Sequence, residues 1–402
     1  MTMPLWNFAL SVGRNNSPDR DLIEGVALFS ESYPNCRFQL IPPEKLYYEL
    51  RLNRLDGVIC RLIDKKTIRY INRQNIPTVD LLHDSHHSGV SVVSPDNQAV
   101  GRMAAEHFLE RGFKNFAFFG YRHVPYSDER RDGFLSCLAK NCYTATIYET
   151  STNPWIKFGY ASLPGYSNRT KSDKNVLAKN LLAAPKPLAA FCCHDPRAAD
   201  LLESCWQSGL SIPNDVAILG VDDDSVYCSF SFPKLSSIDL DAKAIGYEAA
   251  QLLNDMKNGM PPAKIQIPPR QVSVRGSSEI YPVKPTWISD ALVFIKRNAT
   301  SGISALDVFN HLGLSHTLIQ STFRKIRHTS IQKEIIAERM STACKLLQTT
   351  TLPISRVASS SGFASPRYFC QAFTHLYGTS PSEWRILNTS SQGGIKSVRH
   401  EW

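Results

Sequence analysis

From residue 5 to about residue 280 the chain alternates short β-rich runs with amphipathic stretches of helical length, and this alternation limits the fold more than any other feature. LWNFALSVG leads into SPDRDLIEGVALFSESY, DGVIC into DKKTIRYINRQ, PTVDLL follows, and SVVSPDN precedes AVGRMAAEHFLERG. NFAFFG, YSDERRDGFLSCLAK, TATIYE, PLAAFCC, DPRAADLLESCWQSG, VAILGVDDD and DAKAIGYEAAQLLNDMKNG continue the pattern. Strands that regularly alternate with helices form parallel sheets covered by helices on both faces. There are more such units than one sheet of this type holds, so two α/β lobes are expected.

In such sheets ligands bind outside the carboxyl ends of the strands, where the chain turns into helices. Ser17, Asp19 and Arg20 follow the first strand, and Arg130 and Arg131 follow NFAFFG. His194 and Asp195 follow PLAAFCC, and Asp222, Asp223 and Asp224 follow VAILGV. Acids and arginines gathered at strand ends suit a neutral polyol, whose hydroxyls both donate and accept hydrogen bonds. Asp195 and Asp223 are equally placed to cap helices, and Arg131 to pair at the surface, so both readings stay open at those positions.

A chain of 402 residues is too long for one core and suggests two or three domains at ~150 residues each. The net charge of +9 is unevenly spread: residues 284–402 carry 14 Lys and Arg against six acids, which leaves the rest of the chain nearly neutral. A localised basic surplus is the electrostatic footprint of a polyanion-binding module. YPVKPTW, residues 281–287, reads as an extended linker because its prolines disfavour helix. The expected plan is therefore a two-lobed α/β domain over 1–280, a linker over 281–287, an all-α domain over 288–388 and a tail over 389–402.

Everything after Trp287 is helical in pattern and contains a degenerate repeat. VFNHLGLSHTLIQSTF (308–323) and VASSSGFASPRYFCQAF (357–373) each show Val, Gly five residues later and Phe at the end of the next helix. Gly313 and Gly362 fall where a tight turn between helices needs positive φ, and Ser315 and Ser365 where the second helix needs a cap. Two helix-turn-helix units in tandem are thus predicted, with SIQKEIIAERMSTACKLLQTT (330–350) as the long helix between them. Phe363, Tyr368, Phe369, Phe373 and Leu376 are expected in the core of the second unit. Pro366, Arg367, Cys370, Gln371 and Thr374 lie on the other face of its second helix, and His316, Thr317, Gln320, Ser321 and Arg324 on the matching face of the first unit. Such side chains can reach base edges and phosphates.

These residues carry two family resemblances. VSPDNQAVGRMAAEHFLERGFKNFAFFG, ERRDGF, SIPNDVAILGVDDD and LSSIDLDAKAIGYEAAQLL resemble the sugar-binding core shared by LacI-type repressors and periplasmic sugar-binding proteins, over roughly residues 5–280. LacI-type repressors carry a helix-turn-helix ahead of this core, and here the first strand begins at once. AERMSTACKLLQTTTLPISRVASSSGFASPRYFCQAFTHLYGTSPSEWR resembles the AraC-family DNA-binding domain. A LacI-like sensor ahead of an AraC-like reader is the order of the xylose operon regulators.

The resemblance implies a regulator of transcription with Asp222 and Arg130 as the main effector-gripping pair, supported by Asp19, Arg20, Asp195 and His194. It implies a small sugar effector, D-xylose or a related pentose, a double-stranded DNA operator read by two recognition helices in successive major grooves, a homodimer, activation and contact with RNA polymerase. The family pattern is broken by Ser321 and Thr322, where relatives often have Arg or Lys, and by His328, where a helix-ending glycine is usual. Another small effector in the same regulator, or a non-catalytic sugar-binding protein, are the alternatives.

Other signals point to little chemistry. Cys60, Cys137, Cys192, Cys193, Cys205 and Cys344 sit in apolar runs and no CxxC pair is present, so they read as small buried hydrophobes of a reducing compartment. HDSHH, residues 83–87, reads as a surface loop rather than a metal site. FGYASLPGYSNRTKSD, residues 158–173, reads as a long exposed loop. No Walker A loop, GxSxG elbow or facing carboxylate pair is present, so neither an enzyme nor a cofactor is expected. MTMPLWNFALSVG lacks the features of a signal peptide and no run is long and apolar enough to span a bilayer; a cytoplasmic protein without a membrane partner is expected.

Overall fold

The protein is described by a computed structural model over residues 5–14, 16–61, 65–81, 90–150, 179–280 and 287–389. The histidine-rich loop at 83–87, the loop at 158–173, most of the linker and the tail beyond 389 lie outside the described residues. The chain divides into two compact units, Met1–Ile280 and Tyr281–Trp402.

In the first unit β1 (Trp6–Ser11), β2 (Cys36–Leu40), β3 (Gly57–Cys60), β4 (Thr78–Asp80) and β5 (Ser91–Pro95) build one sheet. β6 (Asn115–Tyr121), β7 (Ala145–Thr150), β8 (Leu188–Cys192), β9 (Val216–Val221) and β10 (Ser236–Asp239) build a second. β11 (Lys264–Ile267) joins the edge of the first and β12 (Gln271–Ser273) that of the second, giving the orders β11-β5-β4-β3-β1-β2 and β12-β10-β9-β8-β6-β7. All these pairings are parallel except β10 with β12. The two lobes share one strand order, which reverses beside β1 in the first and beside β6 in the second. Ligands of open α/β sheets bind at such reversals.

The sequence encodes these sheets in two ways. Central strands such as VAILGV and LAAFC are wholly buried and read as continuous apolar runs, because helices cover both their faces. Alternate residues enter opposite core layers: Phe116 and Phe118 one, Ala117 and Phe119 the other. β10 escaped the sequence reading because Ser236 and Ser237 are polar, yet both are fully buried. Ser236 Oγ donates to the Arg275 carbonyl at 2.9 Å and Ser237 Oγ to Asp195 at 2.6 Å, which removes the penalty of burying them.

The chain crosses between lobes around Pro95–Asn97, Asp239–Ala242 and Ile267–Gln271. Helix Asn97–Leu109 packs on Pro125–Lys140 in the second lobe, and helix Ala242–Lys257 on Ser17–Ser32 in the first. Both pairs meet backbone to backbone. A Cβ on Gly101 would overlap the Arg130 carbonyl, and one on Gly246 the Leu22 carbonyl.

The second unit is all helical: Trp287–Asn298, Ala305–Leu312, His316–Arg327, Ile331–Thr349, Ile354–Ser360, Pro366–Tyr377 and Pro381–Thr389, with a short 3-10 turn at Ala299–Ser301. It has two cores. Ile288, Leu292, Ile295, Val308, Phe309, Ile319 and Phe323 belong to one, and Val357, Phe363, Phe369 and Phe373 to the other. Gly313 (φ 62) and Gly362 (φ 84) take the expected left-handed backbone. Ser315 accepts the Leu318 N–H at 3.4 Å and Ser365 the Tyr368 N–H at 3.3 Å. Tyr368 departs from expectation: it is 51% exposed and only borders Phe363, whereas Phe369 and Phe373 fill the core.

Candidate functional site

The carboxyl ends of both sheets bring the charged residues of the first unit together. From the first lobe come Asp19, in the opening turn of Ser17–Ser32, and Arg61, just after β3; Arg61 Nη2 lies 2.5 Å from Asp19 Oδ1. Gly13 makes room for this carboxylate, since a Cβ there would overlap it. From the second lobe come Arg130, on helix Pro125–Lys140, and Asp222, after β9. Arg130 Nη1 lies 3.9 Å from Asp222 Oδ1 and donates to the Cys193 carbonyl at 2.5 Å. Its Nε donates to Asn97 Oδ1 at 3.0 Å and its guanidinium lies over Tyr126, 5.1 Å from the ring centre.

Asp222 and Asp223 both have positive φ, 109 and 48. Non-glycine residues held there cost energy and gather at functional sites. The turn sends the two side chains apart. Asp223 accepts from Arg275 at 2.7 Å and from Ser273 at 2.7 Å, so its carboxylate is spent on the fold. Asp222 keeps a side chain 26% exposed. Burial pushes it up to about 6, against the pull of Arg130 and Arg61 and with the push of Asp224 and Asp19.

The lobes also touch across this site. Ser17 donates its N–H to Asp224 Oδ2 at 3.3 Å, and its hydroxyl lies 2.7 Å from the Ser225 hydroxyl and accepts the Ser225 N–H at 3.1 Å. In the sequence Ser17 stands out only as a strand-end residue, and Arg61, Asn97 and Tyr126 are not among the expected effector residues. Their signal is weak, because each gains its place through a partner distant in sequence.

Three of the expected effector residues sit differently from one another. Asp195 is fully buried: Oδ1 accepts from Ser237, and Oδ2 from the Asp224 N–H at 2.8 Å. Burial, with Asp222 adding to it, raises its pKa well above the usual carboxylate value. It braces the 222–224 turn from behind. His194 caps helix Asp195–Gln207, its Nδ1 accepting the Arg197 N–H at 3.3 Å, and its ring meets Tyr121 edge-on at 5.4 Å. Burial, reinforced by the Arg130 charge, pushes it down to about 3, so the imidazole is neutral near pH 7. Arg20 is exposed and donates to the Arg14 carbonyl and the Ser17 hydroxyl at 3.3 and 3.2 Å. Arg131 takes the surface alternative, bound to Asp128 and Glu149 at 2.7 Å each.

In the second unit His316, Thr317, Gln320, Ser321 and Arg324 are all exposed on helix His316–Arg327. Pro366, Arg367, Gln371 and Thr374 are exposed on helix Pro366–Tyr377, with Cys370 partly covered beside them. Ile319 and Phe323 anchor the inner side of the first helix, and Phe369 and Phe373 that of the second. Both units therefore offer the same helix face to solvent. His316 also packs on Phe309, with ring centres 4.6 Å apart. Lys325, His375 and Tyr368, the last of them expected in the core, add further exposed groups to these helices.

Comparisons with known proteins agree with both halves. A family model described as a periplasmic binding protein-like domain matches residues 105–278, and one described as a helix-turn-helix domain matches 308–386. The chain is 27% identical over 398 residues to the xylose operon regulatory protein of Haemophilus influenzae, covering 96% of this chain and all of that one. It is 26% identical to its Escherichia coli K12 counterpart, covering 93% and 95%. The solved structure of a xylose-binding transcription activator superposes with a TM-score of 0.58 at 25% identity, over 97% of this chain and all of that one. A ribose-bound LacI family regulator from Enterococcus faecalis V583, at 21% identity and TM-score 0.53, covers 69% of this chain and shares the fold of the first unit. The chain is thus a homologue of the xylose operon regulators, a DNA-binding transcription regulator that joins a periplasmic-binding-protein-like domain to an AraC-type helix-turn-helix domain.

Proposed function

We propose that this regulator is controlled by a pentose, D-xylose first, held between the lobes of the first unit, and that it activates transcription from operator DNA read by both recognition helices. The sugar reading rests on Asp222: a carboxylate aimed by a left-handed backbone toward Arg130, with Arg61 and Asp19 near it from the other lobe. A carboxylate beside a guanidinium accepts from and donates to neighbouring hydroxyls of one sugar ring. The names of the full-length relatives support xylose among the sugars. Asp19 and Arg130 join Asp222 in gripping the ligand, while His194 and Asp195 hold the second lobe's side of the site in shape, and Arg20 steadies the Ser17 turn.

His316, Thr317, Gln320, Ser321 and Arg324, with Pro366, Arg367, Gln371 and Thr374, meet bases and phosphates in two successive major grooves. The chain acts in the cytoplasm as a homodimer, and contact with RNA polymerase follows from the family resemblance. No helix among the described residues is long and apolar enough to cross a membrane.

Titration calorimetry of the full chain against pentoses and hexoses tests the effector. Saturable heat is expected with D-xylose or a close pentose. Asp222→Ala is expected to abolish that heat while leaving DNA binding unchanged in a mobility-shift assay. Retained sugar affinity in Asp222→Ala would overturn the site, and the absence of heat with every sugar would overturn the effector class.

A further inference from the structure

The two helix-turn-helix units have separate cores joined by one covalent element, helix Ile331–Thr349. It lends Ile331 and Ile335 to the first core and Met340, Ala343 and Leu347 to the second. A long helix alone is a soft coupling, because helices bend. Arg339, between those two sets of residues, adds a side-chain link between the units. It is only 8% exposed, its Nε donates to the Ala299 carbonyl at 2.8 Å, and its Nη2 donates to the Ile303 carbonyl at 2.7 Å. Both acceptors belong to the turn that follows the first helix of the first unit. The same guanidinium lies 5.8 Å from the ring centre of Phe363, a core residue of the second unit.

A second contact lies beside it. Gly362, at φ 84, brings the turn of the second unit against the first so closely that a Cβ there would come within 2.5 Å of the Ala299 carbonyl. Arg339 therefore spends a buried charge on two carbonyls of one unit and a ring of the other, and burial lowers its pKa accordingly. Only a planar, many-donor cation can make both bonds and the ring contact together.

We propose that Arg339 is a positioning residue that locks the two recognition helices at one separation and rotation, so that the protein selects DNA by the spacing between the two segments it reads. The proposal rests on the reading that both helices enter the same duplex. One base pair inserted between the segments moves the second by about 3.4 Å and turns it by roughly 35°. A rigid pair of readers loses one of its contacts under that change, and a loosely joined pair follows it.

The test starts with a duplex selected by the wild-type chain from a random library and measures affinity for it and for versions lengthened or shortened by one base pair between the two footprints. Wild type is expected to lose about a hundredfold per base pair, and Arg339→Met, or Arg339→Lys without the fork, about tenfold or less. Equal spacing penalties in wild type and a folded variant would overturn the proposal, even where overall affinity falls. Loss of helical circular dichroism in both variants would overturn it too, by making Arg339 a requirement of the fold rather than of spacing. Failure of the wild-type chain to select any duplex with two footprints would overturn the two-helix reading and this proposal with it.

Discussion

Asp222 shows how one side chain depends on a backbone conformation and on neighbours from both lobes. Its carboxyl is raised to about 6, so it is mostly ionised at pH 7 and mostly protonated at pH 5. If the ionised form accepts the sugar hydroxyls, affinity is constant above about pH 7 and falls as pH drops through 6. Calorimetry between pH 5 and 7.5 is expected to record that fall, by about tenfold at pH 5, since a group one unit below its pKa is roughly nine-tenths protonated. Asp222→Asn is expected to bind weakly with no such pH dependence. The residue types at this site were legible in the sequence, because strand ends in an α/β fold are few and their polar residues stand out. Which of them point into the cleft was not. Asp195 and Asp223 look like Asp222 in the sequence, yet hydrogen bonds from Ser237, Ser273 and Arg275 turn both into the fold.

At the level of single elements, the helices of the second unit follow local rules closely. Ser315 and Ser365 cap the recognition helices, and glycines end the helices before them or the turns leading to them. His328 breaks the rule at the position matched by Gly378 in the second unit: it ends helix His316–Arg327 at φ 56, where a Cβ is strained. Its N–H donates to the Arg324 carbonyl at 3.0 Å, the bond that Gly378 makes to Thr374 at 2.9 Å. Replacing His328 by Gly relieves that strain and is expected to raise the stability of the second unit by about 1 kcal/mol in urea denaturation. Tyr368 carries the opposite lesson. Its aromatic character suggested core, but it lies one position before the buried Phe369 and so faces outward. Helical spacing identifies an apolar face and leaves the residue at its margin undecided.

For the whole molecule, the two units combine a nearly neutral sensor with a basic reader. An effector that binds only the folded first unit stabilises it by mass action, by about 2.7 kcal/mol at a hundredfold excess over Kd. Differential scanning calorimetry with saturating D-xylose is therefore expected to raise the melting transition of residues 1–280 and leave that of 281–402 in place. An equal rise in both would point to ligand contact beyond the cleft. Effector control needs a difference in affinity between two states of the protein, and the Ser17 bonds to Asp224 and Ser225 are among the contacts that separated lobes would lose.

The sequence by itself determined the alternation of strands and helices, the tandem helix-turn-helix units and the solvent-facing side of each recognition helix, because periodicity, caps and left-handed turns are local properties of the chain. It also determined where the basic charge lies. Only the tertiary structure decided the partners across the fold: Arg61 with Asp19, Arg130 with Asn97 and the Cys193 carbonyl, and Arg339 with two carbonyls far away in sequence. β10 and the edge strands β11 and β12 belong with them. β11 and β12 pair at sheet edges only after the chain has crossed from the opposite lobe, and a buried serine such as those of β10, or a buried arginine, is recognisable as part of the core only once its distant acceptor is in place.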